Sequence, residues 1–194
     1  MASFGEPTSS PTVLPDRAAR QPGMIKVWDP FVRVFHWALV CFFTFSYFTG
    51  DEWQSAHIIS GYCIGALVSF RLLWGIIGTE HARFSNFIYS PMTVLRFVRD
   101  TLSMRARRYV GHNPAGGMMV LALLVSISGI VTTGFMMTTD AYWGVEWVED
   151  VHKTLVYVTI GLVVVHIIGV ILASIEHREN LVRAMLTGWK RRNH

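Results

Sequence analysis

Four long apolar segments constrain the fold of this chain more than any other feature of its sequence. They cover about residues 33–49, 56–77, 117–139 and 151–173. A helix needs roughly 20 apolar residues to cross a bilayer, and each segment is near that length. Only 15% of the residues are charged, whereas a soluble domain carries about 25%. The sequence therefore predicts an all-α integral membrane protein, a bundle of four transmembrane helices.

Charged residues predict how the bundle is oriented. The second connection carries six arginines, and the N-terminal flank and the C-terminus are also basic. The first and third connections carry acidic residues and no Lys or Arg: Asp51, Glu52, Asp140, Glu146, Glu149 and Asp150. The positive-inside rule then places both termini in the cytoplasm. The net charge of +4 needs no nucleic-acid partner, because the basic residues face the lipid of the cytoplasmic leaflet.

Three further segments complete the predicted organisation. Residues 1–24 are predicted to be a flexible cytoplasmic tail, and residues 25–176 to form the membrane domain. In the second connection, Ser90 and Pro91 have the residue types of an N-cap and a first helical position. We expect an amphipathic helix over about 91–104 on the cytoplasmic face. Residues 177–194 are predicted to be an amphipathic basic cytoplasmic tail.

Four histidines lie on these segments at depths that match in pairs. His152 and His166 are fourteen residues apart on the fourth segment, so their imidazoles share one helix face and lie roughly 21 Å apart. His57 begins the second segment on the outer side, near the level of His152. His36 lies in the first segment, near the cytoplasmic level of His166. Two imidazoles on neighbouring helices can clamp one haem iron, so the sequence predicts two stacked b haems with these four axial ligands.

Other residues on the same segments suit a haem environment. Thr159 lies midway between His152 and His166 and is predicted to pack between the macrocycles. Gly61 is one turn after His57, where the missing side chain lets a flat ring approach the backbone. Arg71 is an intramembrane cation that needs an anion, which a haem propionate would supply.

The sequence indicates less specific roles for the remaining histidines. His112 lies in the GHNPAGG turn before the third segment, where it could bond a propionate or a quinone head group, or merely shape the turn. His81 and His177 are expected to be solvated at the cytoplasmic rim. A proton or metal-ion pathway would recruit Asp or Glu within the apolar segments. None is present there, which counts against a transporter.

Several motifs resemble one known family. They are VWDPFVRVFHW at 27–37, H-x3-G at 57–61, R-x2-WG-x2-G at 71–78, ARF at 82–84 and GHNPAGG at 111–117. Their order is similar to that of the prokaryotic cytochrome b561 family, which is related to the b-type cytochrome subunits of NiFe-hydrogenases and formate dehydrogenase. The resemblance covers about residues 25–176. Position 81 departs from it, with His where a Tyr or similar residue is expected.

The resemblance implies two b haems in the bacterial inner membrane, the same four histidine ligands and exchange of electrons with quinone. The leading hypothesis is a dihaem b-type cytochrome that carries electrons between a periplasmic donor, such as a cytochrome c or an oxidoreductase subunit, and the quinone pool. Two alternatives remain open. One is a stand-alone quinone-coupled oxidoreductase acting on a small molecule such as superoxide. The other is a membrane-anchor subunit of a hydrogenase- or dehydrogenase-type complex.

Overall fold

The structure, a computed structural model, describes residues 23–191. Six helices are present in this range: α1 (Pro30–Thr49), α2 (Gln54–Ile77), α3 (Pro91–Leu102), α4 (Pro114–Met137), α5 (Glu146–Glu176) and α6 (Leu181–Thr187). Four of them, α1, α2, α4 and α5, are long and apolar enough to cross a membrane. The predicted all-α membrane architecture is confirmed, and the chain is a multi-pass membrane protein.

Three of the helices begin with the same device, a polar cap residue followed by proline. The pairs are Asp29–Pro30, Ser90–Pro91 and Asn113–Pro114. Each cap side chain accepts a hydrogen bond from the backbone N–H three residues later, at 2.9, 3.4 and 2.6 Å respectively. Proline costs nothing at the first helical position, because its missing N–H would have no partner there.

The membrane helices pack as two pairs. Helix α1 packs along α2, helix α4 packs along α5, and α2 joins the two pairs through α4. The buried centre of this junction is formed by Ile64, Val68 and Ile127. Helix α5 packs closely against neither α1 nor α2. The bundle therefore leaves space along one side of α5.

The two ends of the described chain meet in a small sheet that the sequence analysis did not predict. Strand β1 (Met24–Lys26) pairs antiparallel with β2 (Trp189–Arg191). Gly188 ends α6 in the left-handed region, with φ of 86°, which glycine adopts without strain. Its carbonyl accepts hydrogen bonds from the N–H groups of Val27 and Trp28, at 2.9 and 3.2 Å. Of the tail predicted over 1–24, residues 1–22 lie outside the described range, and Met24 starts β1.

The segment after α5 is more buried than a solvated basic tail would be. The Lys190 side chain is 6% exposed, and its Nζ lies 3.7 Å from a Glu179 carboxylate oxygen and 3.3 Å from the Tyr109 carbonyl. Arg108 Nη2 contacts the other Glu179 oxygen at 3.1 Å. Burial raises the pKa of Glu179, but the Arg191 N–H, Lys190 and Arg108 outweigh burial and hold the pKa below its ordinary value. This buried cluster of Arg108, Glu179 and Lys190 fixes the chain end to the α3–α4 connection.

Candidate functional site

One pair of histidines is formed by His57 on α2 and His152 on α5, and we call it the outer pair after the orientation that the charge pattern predicts. Their ring centroids lie 6.2 Å apart. The Nδ1 atom of His57 lies 2.9 Å from the Ser46 carbonyl and 3.2 Å from the Ser46 hydroxyl. The Nδ1 atom of His152 lies 3.0 Å from the Thr133 hydroxyl. Because a carbonyl can only accept, His57 Nδ1 carries the hydrogen, and the Nε2 lone pair is left for another partner.

The inner pair is formed by His36 on α1 and His166 on α5, with ring centroids 6.5 Å apart. It differs from the outer pair in its hydrogen bonding. The Nδ1 atom of His36 is buried and has no hydrogen-bond partner. Both pairs join α5 to the helices against which it does not pack closely.

The spacing of the pairs fits one type of metal group. An iron held by two imidazoles on opposite sides, with metal–nitrogen bonds of about 2 Å, places the ring centroids roughly 6 Å apart. Within residues 23–191, no three or more His, Cys, Asp or Glu side chains converge as a metal site. Two ligands per site fit a cofactor that brings its own in-plane nitrogens, as haem does. The residues present therefore fit a haem at each pair and do not fit a metal held by protein ligands alone.

Gly61 and Thr159 have different environments. A Cβ added at Gly61 would meet no atom within 4 Å, so the backbone there borders open space. The Thr159 side chain is fully buried: its hydroxyl lies 2.7 Å from the Ser126 hydroxyl and donates to the Leu155 carbonyl at 2.8 Å. The structure thus gives Thr159 a contact between α4 and α5. Its predicted packing against a macrocycle stays a prediction.

Arg71 is buried on α2 with its charge incompletely matched. Its Nη2 donates to the Ala82 carbonyl at 3.1 Å, and the guanidinium lies 4.8 Å from the centre of the Phe84 ring. Its Nη1 is buried without a partner. No carboxylate within residues 23–191 lies in salt-bridge distance of it. A buried cation with an unused donor is suited to an anionic group of a bound cofactor.

Two glycines of the WG and GG motifs, Gly75 and Gly117, lie directly against the segment between α2 and α3. The Phe84 ring lies so close to Gly75 that a Cβ there would be 2.0 Å from it. The Phe87 carbonyl would be 2.3 Å from a Cβ at Gly117. The two glycines thus let this segment lie directly on the ends of α2 and α4. This close approach brings the Ala82 carbonyl to Arg71.

Asp29 connects the start of α1 to the end of α2. Besides capping α1, its carboxylate accepts hydrogen bonds from the Thr79 hydroxyl at 2.5 Å and from Trp74 Nε1 at 3.3 Å. Burial raises the pKa of Asp29, but these hydrogen bonds outweigh burial and hold the pKa below its ordinary value. The ionised carboxylate also acts through space on Arg71.

His112 lies beside this inner end of the bundle. Its ring packs against Trp28 and Phe87, with centroid distances of 4.7 and 4.5 Å, and its Nδ1 is buried without a partner. Burial, followed by the charges of Arg71 and Lys190, lowers the pKa of His112 to about 3. The ring is therefore neutral at physiological pH.

A half-open cavity of about 160 Å³ borders His112. Its lining comes from two connections: Glu80, His81, Asn86, Phe87 and Tyr89 before α3, and Tyr109, Gly111 and His112 before α4. His81, which was expected to be solvated at the cytoplasmic rim, is partly buried in this lining. A cavity of about 150 Å³ accepts one benzene ring, so the space suits a single-ring head group.

Sequence reasoning missed the hydrogen-bond acceptors of the outer pair. Ser46 lies one turn before the end of α1, and the tight turn after it brings α2 back alongside. Thr133 faces His152 from α4, and its hydroxyl also bonds the Gly129 carbonyl of its own helix at 2.8 Å. A hydroxyl residue near a helix end is a weak signal by itself. Only the helix packing pairs it with a histidine.

Known proteins are similar to this chain along most of its length. The chain matches the family described as prokaryotic cytochrome b561 over residues 27–188. Three similar proteins are each named probable Ni/Fe-hydrogenase B-type cytochrome subunit. The one from Bradyrhizobium diazoefficiens is 22% identical over 89% of this chain and 88% of its own length. Those from Cupriavidus necator and Azotobacter vinelandii are 25% identical (84% of this chain, 86% of theirs) and 21% identical (88% and 90%).

No solved structure matches the chain significantly. The family match includes all four membrane helices and both histidine pairs. This chain therefore belongs to the prokaryotic cytochrome b561 family.

Proposed function

We propose that this protein is a dihaem b-type cytochrome that carries electrons across the bacterial inner membrane between a periplasmic donor and the quinone pool. The observation that carries the proposal is the pair of histidine spacings, 6.2 and 6.5 Å, at two levels of the bundle. Membership of a cytochrome b family supports haem b at these positions. Haem b, when bound, supplies reversible one-electron storage at its iron.

In this proposal each histidine is an axial ligand, and its neighbours set its orientation and basicity. At the outer pair, Ser46 and Thr133 hold the Nδ1 side of each ring. Such outer partners fix the tautomer and make the ligand more basic. At the inner pair, the unused Nη1 of Arg71 provides a donor for a propionate.

The quinone part of the proposal is supported by the cavity beside His112. Its volume of about 160 Å³ suits one ring. The neutral His112 ring lines this cavity, and a ring nitrogen suits a hydrogen bond with a quinone oxygen. The cavity is built from the two connections next to the basic α3 helix, which the positive-inside rule assigns to the cytoplasmic side.

The donor side is the opposite end of the bundle. Exposed acidic residues there include Asp140, Glu146 and Asp150, and the Trp143 side chain between them is 70% exposed. Negative charge around an exposed aromatic ring suits the docking of a basic redox protein such as a cytochrome c.

A second candidate function is a membrane subunit of a hydrogenase-type complex. Three relatives that cover 84–89% of this chain carry names of that kind. In this case the donor would be a neighbouring oxidoreductase subunit, and the histidine pairs would serve the same purpose. The superoxide alternative stays a prediction.

The test of the proposed function is the haem-to-protein ratio of the purified protein, with a dithionite-reduced spectrum. Wild type is expected to hold two b haems per chain. His57→Ala and His152→Ala are each expected to lose the same haem, and His36→Ala and His166→Ala the other one. His177→Ala is the matched control and is expected to keep both.

One haem or none in the wild type would contradict the dihaem proposal. Losses that do not sort into these two pairs would contradict the ligand assignment while leaving a b-type cytochrome in place. The two parts of the proposal are therefore separable in one experiment.

A further inference from the structure

The cavity beside His112 contains a second histidine that the proposed function does not use. His81 lines it from the α2–α3 connection, whereas His112 lines it from the α3–α4 connection. The two rings are close enough for His81 to act electrostatically on His112. The chain therefore brings two imidazoles from separate connections to one half-open space.

The two histidines differ in their access to water. The Nδ1 atom of His112 is buried. The His112 ring has a pKa of about 3 and is therefore neutral. It can hold a ligand oxygen by a hydrogen bond, but it is not suited to take up protons from water. His81 is only partly buried and follows the exposed Glu80 at the mouth of the cavity. Histidine is the side chain that most readily exchanges protons near neutral pH.

We infer that His81 exchanges protons between cytoplasmic water and a quinone bound in this cavity. This inference rests on the proposed function. Reduction of a quinone to a quinol takes up two electrons and two protons, one proton on each ring oxygen. The reduced b haems of the proposed function supply the electrons. His81 gives a ring N–H proton to one quinone oxygen and regains a proton from water, while the second proton reaches the other ring oxygen from water in the half-open cavity. The reverse transfers apply when a quinol is oxidised.

The other charged and titratable groups around the cavity are consistent with this direction of transfer. Glu80, Tyr89, Tyr109 and His112 line it. Arg71 and Lys190 act on its inner wall through their effect on His112. Positive charge at the inner wall favours the electron-rich ring oxygens, and the exposed Glu80 side chain precedes His81 on the water-facing side of the cavity.

The test compares His81→Asn with His177→Asn in the full-length, haem-loaded protein. The first measurement is the rate at which decylubiquinone reoxidises the reduced haems between pH 6 and 8. His81→Asn is expected to slow reoxidation about a hundredfold, the lower end of what a positioned acid contributes. Added imidazole is expected to restore much of the rate. Haem content, spectrum and midpoint potentials are expected to stay unchanged, and His177→Asn is expected to match wild type.

The second measurement is equilibrium binding of 2,3-dimethoxy-5-methyl-1,4-benzoquinone, a single-ring quinone, to the oxidised protein at pH 7. His81→Asn is expected to bind it within about twofold of wild type, because His112 holds the ring oxygen and His81 transfers the proton. Wild-type reoxidation rates in His81→Asn would overturn the inference, as would a loss of binding large enough to account for the slower rate. A wild type whose reduced haems no quinone reoxidises would instead overturn the quinone part of the proposed function.

Discussion

The outer and inner histidine pairs have nearly the same spacing but different surroundings. The outer imidazoles of His57 and His152 have Nδ1 partners, the Ser46 carbonyl and the Thr133 hydroxyl. The inner pair has an unpartnered His36 Nδ1, with Arg71 and His112 near the same end of the bundle. Acceptors on Nδ1 make a ligand more basic and favour ferric iron, whereas nearby cations favour ferrous iron.

This difference predicts that the two proposed haems, although chemically identical, have different midpoint potentials. We expect the outer haem to have the lower midpoint potential and the inner haem the higher one. Electron flow toward the cavity beside His112 would then be downhill. A redox titration that resolves one haem from the other tests this directly, and equal midpoints would remove the basis of the comparison.

The largest expected effect concerns the stability of the inner end. In Glu179→Gln, the buried Lys190 and the half-buried Arg108 lose their carboxylate. Removing one partner of a buried ion pair costs about 3 kcal/mol or more. We expect the inner haem to be released at a clearly lower temperature in detergent, with the outer haem less affected. Glu149→Gln is the control, because its pair with Lys153 is exposed and should change nothing measurable.

The same cluster predicts a pH dependence. The pKa of Glu179 in the folded protein lies below its ordinary value of 4.5. The ionised carboxylate therefore stabilises the fold fully above that value, and this contribution is lost as the pH falls through the lower, folded-state pKa. In wild type, the temperature at which the inner haem is released should therefore fall as the pH is lowered through the folded-state pKa of Glu179. The loss should be absent from Glu179→Gln, which is already destabilised at neutral pH.

A smaller effect is expected on the midpoint potential of the inner haem. A unit charge several ångströms from a redox centre interacts with it by on the order of 2 kcal/mol at an effective dielectric constant of about 20. That energy corresponds to roughly 90 mV for one electron. Arg71→Gln should therefore lower the inner midpoint by tens of millivolts and leave the outer one in place. Arg99→Gln, an exposed change on α3, is the control, and equal shifts in both variants would remove Arg71 from the explanation.

The smallest expected effect is on the midpoint potential of the outer haem. Thr133→Val keeps the shape of the side chain and removes the hydroxyl that His152 Nδ1 contacts. A neutral hydrogen bond contributes about 1 kcal/mol, or roughly 40 mV, so the outer midpoint should rise by up to that amount. Ser46→Ala leaves the backbone carbonyl that His57 contacts and should give no shift. A shift of the inner midpoint in Thr133→Val would contradict the assignment of this hydroxyl.

Some of this organisation is readable from the chain because it depends on neighbours in sequence. The membrane helices follow from apolar length, and the helix starts at Ser90–Pro91 follow from local capping. The pairing of His57 with His152, and of His36 with His166, follows from depth, because a membrane helix maps residue number onto height. The structure brings both pairs together, and their role as haem ligands stays a prediction.

Other features could not be predicted because they join segments that are far apart in sequence. Strands β1 and β2 have three residues each and lie at opposite ends of the described chain. Neither has a pattern that marks it as a strand by itself. The basic, amphipathic pattern of residues 177–194 does not indicate that Lys190 is buried against Glu179 and Tyr109.

The sequence by itself determined that this chain crosses a membrane four times and carries four histidines at two matched depths. Hydropathy and helical rise are local properties of the chain, so they can be predicted without knowing which helices pack together. The tertiary structure alone decided which groups surround each histidine: the Ser46 carbonyl and Thr133 hydroxyl at the outer pair, and His81 facing the cavity of His112. Those contacts depend on how each helix is rotated and how each connection folds back, which only packing against the other elements determines.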